Sequence, residues 1–302
     1  MTIAFIGLGQ MGLPMAINLL QFSPGLRVHS ASGRAYPELL GLGAQPTDDP
    51  QMLGRCELVF LSLPDADVVE EILFSPDTGI AKWMASGSTV VDTSTVDHDR
   101  TLSIAERLAA LGVAYLDAPV SGMAARAVDG TLTVMCGGDP QVLEAVRPYL
   151  QSMASNILHM GGVGSGQLAK LVNQLLYNIN CAALAEVLPM ACKLGLDPQQ
   201  LAEVVNSGTG RSHASTYFLP HILAGRFDTA YPLQDAYKDM RHGMKVSAGL
   251  GSPLPVLSAA MTTYQQALLQ GHGADDKGAM IKVYESLLNV QFRAPEGTPP
   301  SH

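Results

Sequence analysis

A doubly wound α/β domain followed by a helical one is the fold this chain predicts, and three features point to it. From residue 1 to about 161, short β-branched runs alternate with helix-length segments, the pattern of a mostly parallel sheet covered by helices on both faces. The glycine-rich stretch 161–166 then punctuates the chain, and beyond it strand-like runs give way to long helical patterns. At 302 residues the chain exceeds what one hydrophobic core usually serves. These observations predict a sheet domain over 1–163, an all-α domain over 164–292 and a Pro-, Gly- and Ser-rich tail over 293–302 that frays.

In order, the expected strands are 3–6, 26–29, 58–63, 89–92, 114–116, 131–135 and 157–160. Several read as unbroken apolar runs, such as Val59-Phe60-Leu61, which suits strands buried on both sides. In the second half, Pro189, Pro198, Pro220, Pro232, Pro253 and Pro255 are expected to kink or break the chain into several helices, with Asp197-Pro198 opening one of them.

Composition narrows the function. Apolar residues make up 47% and charged residues 15%, so the chain has ample core material. The formal net charge is -9, and Lys and Arg are scattered singly, which argues against a nucleic-acid partner. Cys56, Cys136, Cys181 and Cys192 lack the paired short spacing of a metal or redox site, so no metal and a reducing cytoplasm are expected. The chain opens on a strand-like run without a basic leader, so no secretory signal is expected. The long apolar stretch 168–192 carries Lys170, Asn173, Gln174, Asn178, Asn180 and Glu186, a load that would be costly in lipid; a buried helix, not a membrane span, is expected.

The first chemistry-bearing motif is Gly7-Leu8-Gly9-Gln10-Met11-Gly12, which follows a strand and opens a helix. One glycine permits the turn, one lets a pyrophosphate approach bare backbone, and one lets helix and strand pack closely. This Rossmann context predicts a dinucleotide. The second strand ends in Ser30, Ser32 and Arg34 with no acid. Hydroxyls and a guanidinium suit a 2′-phosphate, so NADP is expected ahead of NAD.

Two further segments suggest a reacting centre. The loop Asp117-Ala118-Pro119-Val120-Ser121-Gly122 follows a strand, where open α/β folds bind ligands. It reads either as a carboxylate cradle built on Ser121 and backbone N–H groups or as an ordinary turn with a capping serine. Next, Lys170, Asn173 and Gln174 share one helix face, continued by Tyr177, Asn178 and Cys181. The other faces, with Leu171, Val172, Leu175 and Leu176, are expected to be buried, so the polar stripe is expected to line a cleft between the domains. There a desolvated Lys170 can protonate a carbonyl oxygen that receives hydride, or take the alcohol proton in reverse. Asn173 and Gln174 would orient substrate oxygens.

With these residues in place, the chain resembles the β-hydroxyacid dehydrogenase family over nearly its whole length. Residues 5–18 match the cofactor signature, Asp92-Thr93-Ser94-Thr95 a second cofactor loop with Leu63 and Pro64 contributing, and 117–122 with Ala127 and 130–132 the substrate loop. The run 166–174 matches the catalytic helix. The resemblance implies Lys170 as the acid/base, Lys238 of the Lys238-Asp239 pair near cofactor and substrate, a small carboxylic acid substrate, and a homodimer or homotetramer. One position departs: Met123 follows Gly122 where the family usually has a second glycine, placing a side chain beside the carboxylate anchor. The expected activity is therefore an NADP-preferring interconversion of a short β-hydroxy acid and its semialdehyde or keto form. The alternatives are an imine or other carbonyl reductase, against which the retained Lys170 argues, and a cofactor-binding sensor without turnover.

Overall fold

A computed structural model describes residues 1–294 and divides the chain into two compact units, Met1–Lys170 and Leu171 onward. The first unit holds the strands β1 (Ile3–Ile6), β2 (Arg27–His29), β3 (Gln45–Pro46), β4 (Leu58–Leu61), β5 (Thr89–Asp92), β6 (Ala114–Asp117), β7 (Val120–Ser121), β8 (Leu132–Gly137) and β9 (Ala154–Gly161). Its helices are α1 (Gly12–Phe22), α2 (Tyr36–Gly41), α3 (Pro50–Gly54), α4 (Ala66–Phe74), α5 (His98–Ala109), α6 (Met123–Val128) and α7 (Pro140–Gln151). The sheet order is β3-β2-β1-β4-β5-β6-β8-β7, with β9 on β8.

Strands β1 to β6 are mutually parallel, whereas β8 runs antiparallel to β6 and β7. The sheet is thus mixed at this end, and the two-residue strands β3 and β7 lie where no strand was expected. Both are too short to show a periodicity.

Alternation along each strand feeds two cores. Phe5 and Phe60 face one side with Met15, Leu19 and Val146. Ala4, Ile6, Val59 and Leu61 face the other with Val69, Ile104 and Leu108. The period of two explains why near-continuous apolar runs were needed.

Helix α8 (Ser165–Lys193) starts in the first unit and continues into the second. Its first turn lies against the sheet because residue 166 is glycine: a Cβ there would stand 2.3 Å from the Met135 carbonyl oxygen and 2.7 Å from that of Asp117. The second unit then comprises α9 (Pro198–Ser207), α10 (His213–Leu223), α11 (Leu233–Leu250), α12 (Pro255–Leu269) and α13 (Ile281–Leu288). Its core gathers Ala185, Leu188, Phe218, Leu219, Met240 and Tyr264.

Pro198 opens a helix as expected, Pro255 opens another, and Asp197 caps α9 by accepting from the Gln200 N–H. Pro189 and Pro220 do not end theirs: α8 and α10 run through them. Each lies within the last turns, so the i→i−4 bond it removes leaves only a few helical residues beyond the break. In the expected tail, Arg293 pairs with Glu285 and the Ala294 N–H donates to the Leu223 carbonyl, so these two residues are held; 295–302 lie outside the described residues.

Candidate active site

The loops after β1, β4, β5 and β6 all leave the carboxyl edge of the parallel sheet. At β1 the turn depends on its glycines for different reasons. Gly7 has φ +99°, and a Cβ there would lie 2.1 Å from the Ser62 carbonyl oxygen. A Cβ on Gly12 would lie 1.9 Å from the Gly7 carbonyl oxygen. Gly9 is different: among the described residues no heavy atom comes within 4 Å of its Cβ position.

Packing therefore demands Gly7 and Gly12, while Gly9 leaves backbone bare toward open space. Met11, at the N-cap of α1, makes no side-chain cap bond, and the first turn holds no acid. Free N–H groups and the positive helix end fit a pyrophosphate. Gln10 is exposed, but the Leu8 side chain is buried in the core, so that residue offers backbone alone.

At the end of β2, Ser32 and Arg34 are exposed and Ser30 is half-buried. The Arg34 N–H donates to the Ser32 Oγ at 3.4 Å. Tyr36 and Asp48, not anticipated for this corner, join it: the Tyr36 hydroxyl donates to Asp48 Oδ1 at 3.0 Å, and Nδ1 of His29, the last residue of β2, stands 3.0 Å from the same oxygen. Burial, with Asp48 beside it, raises the Tyr36 pKa. The strand β2 ends without an acid of its own, but β3 delivers one from outside the motif.

The loops after β4 and β5 are locked together by buried groups. The Leu63 N–H donates to Ser94 Oγ at 2.8 Å, and the Ser94 N–H donates to Asp92 Oδ1 at 2.9 Å. Tyr115 donates its hydroxyl to the other oxygen of Asp92 at 2.9 Å. Burial raises the Asp92 carboxyl above its usual range in spite of these donors. Thr95 stands exposed at the loop tip.

Beyond β6, Asp117 caps the start of α8, accepting from the Gly164 N–H at 2.7 Å and the Gln167 N–H at 2.9 Å. One turn on, Lys170 is half-buried and donates from Nζ to the Val120 carbonyl at 2.9 Å. Its ammonium thus lies on the residue that precedes Ser121 and Gly122. Gly122 has φ +139°, and Met123 adopts φ +61°, in the left-handed region that a side chain disfavours. Helix α6, which follows the 117–122 loop, is tied to α1 by Asn18, whose amide donates to the Ala127 carbonyl at 2.8 Å.

The remaining candidates belong to the second unit, where the polar stripe of α8 departs from expectation. Gln174, Asn178 and Cys181 are buried in that unit, while Val172, Leu176 and Asn173 are exposed. The polar face turns inward because its hydrogen bonds are satisfied there. Gln174 donates to the Tyr231 hydroxyl at 3.1 Å and to Asp239 Oδ2 at 3.2 Å. Asn178 donates to the Ala236 carbonyl and accepts from Lys277 Nζ at 3.1 Å.

Lys277 is 1% exposed, with Nζ 3.6 Å from the centre of the Tyr177 ring. Sequence reading missed this lysine, because Asp276-Lys277-Gly278 looks like a solvated loop. Asn173 donates to Gln174, and Lys238 is exposed and paired with Asp235 at 3.1 Å.

Known proteins resemble this chain in both of its halves. Residues 2–162 match the NAD binding domain of 6-phosphogluconate dehydrogenase, and 164–284 the NAD-binding domain of NADP-dependent 3-hydroxyisobutyrate dehydrogenase. The chain is 34% identical to 2-(hydroxymethyl)glutarate dehydrogenase of Eubacterium barkeri, over 95% of this chain and 96% of that one. It is 33% identical to 2-hydroxy-3-oxopropionate reductase of Escherichia coli (strain K12), over 96% and 99%. A crystal structure of 3-hydroxyisobutyrate dehydrogenase from Salmonella typhimurium superposes with a TM-score of 0.85 at 28% identity, covering 93% of this chain and 99% of that one.

Proposed function

The chain belongs to the β-hydroxyacid dehydrogenase family, nicotinamide-dependent oxidoreductases acting on hydroxyl groups, and from that premise we propose that it interconverts a short β-hydroxy acid and its semialdehyde or keto form with Lys170 as acid/base. The observation that carries this reading is the Lys170 ammonium lodged on the Val120 carbonyl, next to Ser121 and Gly122.

A bound nicotinamide supplies or accepts the hydride. The chain's own groups do the rest. The Ser121 hydroxyl and the backbone N–H groups at 122 and 123 hold the substrate carboxylate. In reduction, Lys170 Nζ gives its proton to the carbonyl oxygen as that oxygen gains charge; in oxidation, the neutral amine takes the hydroxyl proton. Asn173, exposed on the same helix as Lys170, is the further proposed substrate contact; Gln174, whose amide is committed to Tyr231 and Asp239, would act through Asn173, from which its Oε1 accepts. Gly7 to Gly12, Leu63, Pro64, Thr95 and Lys238 would hold the dinucleotide.

The test is a screen of short semialdehydes and keto acids with both reduced cofactors. Lys170→Ala is expected to lower kcat by about 10²–10⁴, the usual contribution of a general acid, with the melting temperature retained; unchanged turnover would sink the assignment.

NADP is proposed ahead of NAD because Arg34 and Ser32 stand exposed at the end of β2 and one matched family is NADP-dependent. Arg34→Ala is expected to reduce the preference about tenfold, the worth of one charge-assisted contact. Asp48→Asn should move it the other way, and a wild-type preference for NADH refutes this part.

The exposed Val172, Leu176, Val187 and Met190 recur along α8 at helical spacing and support a homodimer through that helix. Light scattering at twice the 31.9 kDa chain mass is the expected result, and a monomer would contradict it.

A further inference from the structure

The start of α8 is gripped by one side chain that the chemistry above does not use. Gln167 is 3% exposed. Its Oε1 accepts from the Val96 N–H at 3.1 Å, and its Nε2 donates to the Ser94 carbonyl at 2.8 Å. Its backbone N–H donates to Asp117 Oδ2. Ser94 in turn receives the Leu63 N–H. A single amide therefore joins the loop after β5, and through it the loop after β4, to the helix turn that carries Lys170 three residues on.

We propose that Gln167 is a positioning residue that couples the dinucleotide-binding loops to Lys170. The two bonds have opposite polarity, so the carboxamide fits both loop groups at once, and no residue of similar size without an amide does. Because the helix is stiff over three residues, the place of the 94–96 backbone sets where Lys170 Nζ falls relative to Val120. A shift of about 1 Å in a reacting group costs up to a hundredfold in rate, so a small displacement of this latch is enough to matter.

The inference rests on Lys170 as acid/base, and the experiment separates the two. Gln167→Met keeps the volume and removes both bonds. The expected result is a fall in kcat of about tenfold to a hundredfold, a larger solvent deuterium isotope effect on kcat as proton transfer becomes limiting, faster amide exchange at Val96, and a dinucleotide Kd within threefold of wild type by reduced-nicotinamide fluorescence.

A kcat loss with an unchanged solvent isotope effect means fewer active molecules and overturns the proposal; so does a loss confined to dinucleotide Kd. Gln167→Asn, which keeps the carboxamide but shortens its reach by one methylene, should fall between wild type and Gln167→Met, and it is read by the same criteria if the Met variant does not fold. If Lys170→Ala turns over like wild type, the acid/base reading itself fails, whatever Gln167 does.

Discussion

The chain builds two polar centres in opposite ways. At the sheet edge of the first unit the open surfaces are mostly backbone: the bare Gly9 turn, the loop tip at Thr95 and the 121–123 segment, with Lys170 half-buried on Val120. In the second unit the polar centre is made of side chains sealed in a core, where Lys277 lies over the Tyr177 ring and Gln174 meets Tyr231 and Asp239. The first stays accessible because backbone groups at strand ends need no partner other than water or a ligand. The second satisfies most of its polar atoms internally, since an unpaired buried group costs about 1–3 kcal/mol; among the described residues the Tyr177 hydroxyl is buried there without a hydrogen-bond partner.

This contrast is open to direct tests. At the sheet edge, glycines that serve packing and glycines that serve approach should separate cleanly. Gly12→Val puts carbon within 1.9 Å of a carbonyl oxygen and should cost more than about 4 kcal/mol, leaving no cooperative unfolding by circular dichroism. Gly9→Val should melt like wild type yet lose dinucleotide affinity. Equal melting of the two variants would erase the distinction.

In the second centre, Lys277→Ala should destabilise by about 3 kcal/mol in urea titration, the scale for breaking up a buried charged network. Lys277→Met should cost visibly less because it keeps the apolar stem. If the alanine variant is as stable as wild type, the lysine does not organise that core.

A smaller effect is expected at Met123. Replacing it by glycine relieves left-handed strain of about 1–2 kcal/mol, offset by about 0.5–1 kcal/mol of extra unfolded-state freedom. The net gain should be a rise of a few degrees at most in Tm; a fall would mean that the Met123 side chain contributes packing that outweighs the strain.

In one chemical respect the two regions should not differ. Burial pushes the Cys136 thiol of the first unit and the Cys181 thiol of the second up to about 12. Neither should react with iodoacetamide at pH 8 in the native protein, because the thiolate is the reactive form. Alkylation of either without unfolding would show local opening.

The legibility of each region followed from its construction. Strands β1, β4 and β5 were readable because buried parallel strands need uninterrupted apolar runs, and the glycine turn because steric rules act over a few neighbours. Lys170 stood out locally as a lysine on an otherwise apolar helix, but its bond to Val120 joins residues 50 apart and left no local pattern. Asp48 was not readable: it reaches Tyr36 and His29 only because β3 pairs with β2, and a two-residue strand leaves no pattern. Nor was the burial of Gln174 and Asn178, whose helix face looked like the wrong one to hide until Tyr231, Asp239 and Lys277 arrived to satisfy it.

Local order along the chain was thus enough to establish the fold class and the glycine turn after β1 and to mark Lys170 as a candidate, since backbone sterics and side-chain periodicity depend on residues close in sequence. Which polar groups are buried, which acid faces the end of β2, and which amide ties the start of α8 to the loop after β5 depended on folding. Each requires partners many residues apart, and a hydrogen bond of about 3 Å exists only once the chain has brought them together.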